Sequence, residues 1–144
     1  MKKFLALVLC LMILPAAQGG EIALKVENPW IFSPPPVSKE TAAFMTLINT
    51  GATPLRVTGA ETPAAGRVVP MITTKTEGRT GMKDVPFFEI PAGGKLVLKP
   101  GGDHLMIYDL KGTLTDGGKV SFTLLVEPGG KLEIAIPASR SAPK

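Results

Sequence analysis

The chain has 144 residues, a formal net charge of +4, one histidine, one cysteine and six methionines. Its charges are scattered, with no basic stripe interleaved with aromatics, which argues against nucleic-acid binding. A single histidine and a single cysteine cannot furnish a catalytic triad, a thiolate zinc site or the two-histidine, one-cysteine set of blue copper, so the chain is not expected to be an enzyme.

The chain opens with Lys2-Lys3, the apolar run Phe4 to Leu14 and the small-residue stretch Pro15 to Gly20. This order reads as a secretory signal peptide over residues 1–20, cleaved after Gly19 or Gly20, and the run is too short to span a bilayer. Cys10 lies inside the apolar run, preceded by Leu9 rather than a small residue, and is expected to leave with the signal. Without Lys2 and Lys3 the balance falls to 14 basic against 12 acidic residues. The mature chain then has no cysteine and must be held by packing alone. It carries no further apolar segment long enough to cross a membrane.

The rest reads as short strands punctuated by Gly and Pro, forming one domain over 21–137. Ile22, Leu24 and Val26 alternate with polar residues, as a half-buried strand does. Ser33 to Ser38 is a polyproline-like connection. Strands are predicted at 42–49, 55–60 and 67–72, followed by a polar stretch, Thr73 to Lys83, with no apolar pattern. Further strands are predicted at 87–90, 96–98, 104–110, 120–126 and 131–136, with Gly-Gly pairs marking turns. None of those pairs joins a strand to a helix, so none is a phosphate loop. Residues 138–144 read as a disordered tail. No segment shows a helical period, and strands with turn signals at this spacing predict an all-β, antiparallel sandwich or barrel of about eight or nine strands.

The chemistry lies in Asp103-His104-Leu105-Met106. Residues i and i+2 of a strand share a face, so His104 and Met106 point one way while Leu105 and Ile107 point into the core. Counting along the chain, Met71, ten residues, Met82, twenty-one residues, His104, one residue and Met106 form a fixed pattern. Three thioethers and one imidazole are a soft, neutral donor set, which favours monovalent copper over harder ions. The same four residues are also compatible with methionines as core fillers and a lone satisfied histidine. Met45 alternates with apolar neighbours and is assigned to the core. Tyr108 shares parity with His104 and either flanks the site or packs. Trp30 reads as a plug at one end of the sandwich. Asp103 reads as a solvated turn residue, with support of the ligands as the alternative.

The spacing resembles that of the periplasmic copper A chaperone (PCuAC) family, which carries H/M-x10-M-x21-H-x-M. The surroundings match as well: Thr41 to Leu47 before Asn49-Thr50-Gly51, Pro63 to Val68, and Leu98 to Gly102 ahead of His104. The resemblance implies a cupredoxin-like, Greek-key β-sandwich with an accessible Cu(I) site formed by Met71, Met82, His104 and Met106. It implies delivery of copper to the copper A centre of cytochrome c oxidase subunit II, alongside a Sco-type protein, in the periplasm. The first ligand position more often holds histidine in that family; Met71 there makes the site softer. The tail has neither His nor Met, so one Cu(I) per chain is expected, on a monomer. The reading that competes is an immunoglobulin-like periplasmic adhesion or assembly module with no metal transfer.

Overall fold

The computed structural model describes residues 22–144; the segment read as a signal peptide, including Cys10, lies outside them. The described residues form ten strands and no helix: β1 (Leu24–Phe32), β2 (Thr41–Asn49), β3 (Leu55–Glu61), β4 (Ala65–Thr76), β5 (Arg79–Asp84), β6 (Phe88–Ile90), β7 (Lys95–Leu98), β8 (His104–Leu110), β9 (Lys119–Glu127) and β10 (Gly130–Ser139). The all-β expectation holds. The added strand is β5, in the stretch read as irregular. It forms a hairpin with β4 through Glu77-Gly78, whose φ values of 52° and 75° suit a two-residue turn that twists with its strands. Both strands of this hairpin tip are polar, so apolar alternation gave no signal for it.

Neighbouring strands run β5-β4-β8-β2-β1-β10-β9-β3-β6, and an additional β3–β4 pairing closes the sheet on itself. β2 serves two partners, β8 along Thr41–Ala43 and β7 along Met45–Ile48. The closure rests on one bridge, Ala60 opposite Val68. Gly59 permits it: a Cβ there would stand 3.0 Å from the Val68 carbonyl oxygen, at a φ of +153°. Gly59→Ala is therefore expected to cost about 1–3 kcal/mol, the price of strain at a disallowed φ/ψ, read as a lower thermal midpoint. An unchanged midpoint would show that the closure is dispensable.

Two expectations need correction. The sheet is not wholly antiparallel, because β1 pairs in parallel with β10 at Ile31–Ala138 and Phe32–Ser139. Nor does a disordered tail begin at 138, since Ala138 exchanges backbone hydrogen bonds with Gly117 and Gly118, and Ser139 accepts one from Ser33. The backbone groups beyond Pro137 thus find partners on two sides, which apolar patterning could not reveal.

The core gathers one face of every strand except β5. Ile31, Leu47, Val57, Ile90, Leu105, Ile107, Phe122, Leu124 and Ile136 are fully buried, and Met45 joins them as expected. The buried Asn49 is satisfied: its Nδ2 donates to the carbonyls of Thr53 and Ile90, and its Oδ1 accepts from the Gly51 amide. Along β8 the core takes Leu105 and Ile107, which turns His104 and Met106 to the opposite face.

Candidate metal centre

Strand register places the four residues singled out from the sequence. Met71 on β4 lies directly opposite His104 on β8, and Val69 opposite Met106. On the other side of β4, Thr73 lies opposite Met82 on β5. Cross-strand partners, and residues two apart on a strand, share a face. Met71, Met82, His104 and Met106 therefore all project from the same face of the three-stranded unit β5-β4-β8. This is the face away from the core.

Their environments differ. Met71 and His104 are 7% and 6% exposed, Met106 is half-buried, and Met82 is 64% exposed. Met71 is buried yet stands apart from the main core cluster. Met82, His104 and Met106 line a groove of about 560 Å³ whose remaining wall is largely apolar, including Trp30, Phe32, Phe44 and Pro100, with Thr41, Arg140 and Ser141 as its polar side chains. Met71 does not line it; it meets the site from the strand opposite His104. A smaller pocket of about 190 Å³ lies between the β4–β5 hairpin and Gly101-Gly102, and Met82 and His104 border both spaces.

The imidazole is oriented by the backbone. His104 Nδ1 lies 2.9 Å from the Gly102 carbonyl oxygen, and a carbonyl only accepts, so Nδ1 carries the proton. The lone pair of the neutral ring is then on Nε2, the arrangement in which metal-binding histidines are commonly held. The Phe44 ring lies with its centroid 6.3 Å from that of His104, and Trp30 packs on Phe44 at 4.7 Å. Asp103 is more than a solvated turn residue: its carboxylate accepts the Thr73 amide at 3.2 Å and ties the loop before β8 to β4.

Trp30 was not visible as a site residue in the sequence. Before Asn28 the even-numbered residues of β1 face the core; a bulge between Glu27 and Trp30 inserts one residue, after which Ile31 faces inward. Asn28 takes a φ of 49°, a conformation asparagine tolerates better than most residues. The bulge thereby re-aims Trp30 into the groove lined by Met82, His104 and Met106, a known use of this device. The Asn-Pro pair ahead of the tryptophan was the available sign.

Tyr108 shares the same face, with the Arg67 guanidinium stacked 4.4 Å from its ring centroid. Desolvation, followed by the carboxylates of Asp84 and Glu40, raises its pKa above the ordinary tyrosine value, against the pull of Arg67. Among the described residues no three His, Cys, Asp or Glu side chains cluster as a metal site. The side chains from Met71, Met82, His104 and Met106 bring three thioether sulfurs and one imidazole to this face.

A closed β fold with a soft-donor face beside an apolar groove defines the class of the molecule. The family model of the LpqE-like proteins matches residues 24–138, and the chain belongs to that family. Lxx21020 of Leifsonia xyli subsp. xyli (strain CTCB07) is 39% identical over 98 residues, which cover 67% of this chain and 59% of that relative. The chain thus matches less than two thirds of the length of that relative. Among solved structures, the solution structure of CuI-DR1885 from Deinococcus radiodurans is 40% identical, covers 88% of this chain and 87% of its own, and superposes with a TM-score of 0.69. The apo PCuAC domain from PmoF1 is 26% identical, with 84% and 95% covered and a TM-score of 0.69.

Proposed function

We propose that the protein is a Cu(I) carrier of the PCuAC kind, holding one Cu(I) between the thioethers of Met71, Met82 and Met106 and the Nε2 of His104. The observation that carries this reading is the shared face: four donors dispersed over 36 positions meet on β5-β4-β8, with the only nitrogen already in its metal-binding tautomer. The copper state of the 40%-identical relative supports it.

The chemistry is transfer rather than turnover. Neutral donors leave the ion its +1 charge, so retention depends on soft donors and an apolar surround. Met82, the most exposed donor, is the first whose bond an incoming ligand would replace, and flexible thioethers suit such stepwise exchange. His104 and Met71, both buried, would release last. The acceptor we propose is the copper A centre of cytochrome c oxidase, on the resemblance of the sequence pattern. Export to the periplasm is proposed from the charged and apolar start of the chain and from a family named after a lipoprotein.

Anaerobic titration with Cu(I) against a competing chelator tests the donor set. Replacing Met71, Met82 and Met106 together by Leu is expected to abolish retention of copper while keeping apolar volume, because leucine offers no lone pair. Met45→Leu, in the core, is expected to leave affinity unchanged. Equal losses from Met45→Leu and the triple variant would mean that folding, not ligation, is being read.

A further inference from the structure

We propose that Thr73 is a positioning residue for the metal centre: it locks the loop carrying His104 to the hairpin carrying Met82, so that the two donors move as one unit. This rests on the reading of the four residues as a Cu(I) site and extends it to a residue that touches no metal.

Thr73 stands where three parts of the site meet. Its backbone is paired with Met82 across the hairpin, and it lies two residues beyond Met71 on the same face. The ladder between β4 and β8 has its last pair at Met71 and His104. Beyond that pair the Thr73 amide donates instead to the Asp103 carboxylate, at 3.2 Å. The Thr73 hydroxyl donates to the Gly102 carbonyl oxygen at 2.7 Å, the same oxygen that accepts Nδ1–H of His104 at 2.9 Å. A carbonyl oxygen has two lone pairs and serves both donors.

The need for such a tie follows from the local sequence. Gly101 and Gly102 precede the only nitrogen donor, and Gly101 has a φ of +77° in open space. Glycines widen the backbone's range, and the two backbone bonds that close the turn, Gly102 N–H to Lys99 and Lys99 N–H to Asp103, leave the Gly102 carbonyl oxygen itself untethered. A carbonyl free to rotate would not hold Nδ1–H, and the ring would sample both tautomers. The Thr73 hydroxyl fixes that plane from the neighbouring strand. Because the same residue sets the register of Met82, displacement of the hairpin is transmitted to the imidazole.

Thr73→Val tests this, since it removes the hydroxyl but keeps the shape, the β-branch and the amide bonded to Asp103. Partners of this kind are worth roughly 10–100-fold in metal affinity. Thr73→Val is expected to weaken Cu(I) binding about tenfold or more, and Thr73→Ser to restore it. Two-bond proton–nitrogen NMR spectra of the apo protein give a reading that needs no copper. The unaltered protein and Thr73→Ser should show the Nδ1–H tautomer of His104, and Thr73→Val a mixture. Combined with Met82→Leu, Thr73→Val should cost less than it does alone, because the unit it couples is already broken. Should Thr73→Val not fold, Thr73→Ala, which also lacks the hydroxyl donor, carries the same expectations. A tautomer and an affinity unchanged in the variant that folds would overturn the proposal. If the unaltered protein fails to bind Cu(I), the copper reading falls, and the apo tautomer still decides the role of Thr73.

Discussion

His104→Ala is expected to lower Cu(I) affinity by more than about 100-fold, a loss beyond about 2.8 kcal/mol. The imidazole is the only nitrogen of the proposed donor set, and its Nδ1–H is already committed to the Gly102 carbonyl. It is the chain's one histidine, and the carboxylate of the neighbouring Asp103 is engaged by the Thr73 amide. The fold should survive, because β8 is anchored from its other face by the fully buried Leu105 and Ile107. Competition with a Cu(I) chelator, alongside the thermal midpoint of the apo protein, separates the two effects. Affinity within a few-fold of the unaltered protein would remove histidine from the donor set and leave a thioether-only site.

Phe122→Ala is expected to have the opposite profile. Phe122 is fully buried at the centre of β9, opposite Ile134 of β10, in a strand whose inward residues are Val120, Phe122, Leu124 and Val126. Deleting a buried phenyl ring costs about 3–5 kcal/mol, as lost transfer energy plus the cavity left behind. Small domains have about 5–15 kcal/mol in total. The variant should therefore lose roughly a fifth or more of its stability, with a thermal midpoint lower by on the order of 10 °C. The folded fraction should bind Cu(I) as before, since Phe122 faces the core and not the face that carries the proposed donors. Added Cu(I) should recover part of the midpoint by mass action. A loss below about 1 kcal/mol would mean that the packing around β9 is looser than its burial implies.

Much of this was legible in the sequence because apolar alternation reports which face is buried. It located β9, gave β8 its inward Leu105 and Ile107, and put His104 beside Met106 on the other side. The long spacings also have a structural cause. A two-residue turn at Glu77-Gly78 sets Thr73 opposite Met82, and the antiparallel return of β8 along β4 sets Met71 opposite His104. The interval of ten residues is thus the register of one hairpin, and that of twenty-one takes the chain through β6 and β7 before β8 returns along the other side of β4.

What escaped the sequence reading was held by backbone geometry or polar contacts. β5 is exposed at every residue, so burial left no periodic trace in it. The chain beyond Ile136 is secured by hydrogen bonds to Gly117, Gly118 and Ser33, with only the small Ala138 as an inward apolar residue to signal it. Trp30 changed faces through a bulge, which inverts parity from one residue onward. The latch of Thr73, Gly102 and Asp103 joins residues about 30 positions apart, through bonds that periodicity cannot see.

X-ray absorption at the copper edge of the anaerobically loaded protein tests the central claim most directly, because it counts the neighbours of the ion. One equivalent of Cu(I) with three sulfur neighbours and one nitrogen neighbour is the predicted result. A shell of oxygen and nitrogen donors without sulfur, or no copper retained against the chelator, would contradict it.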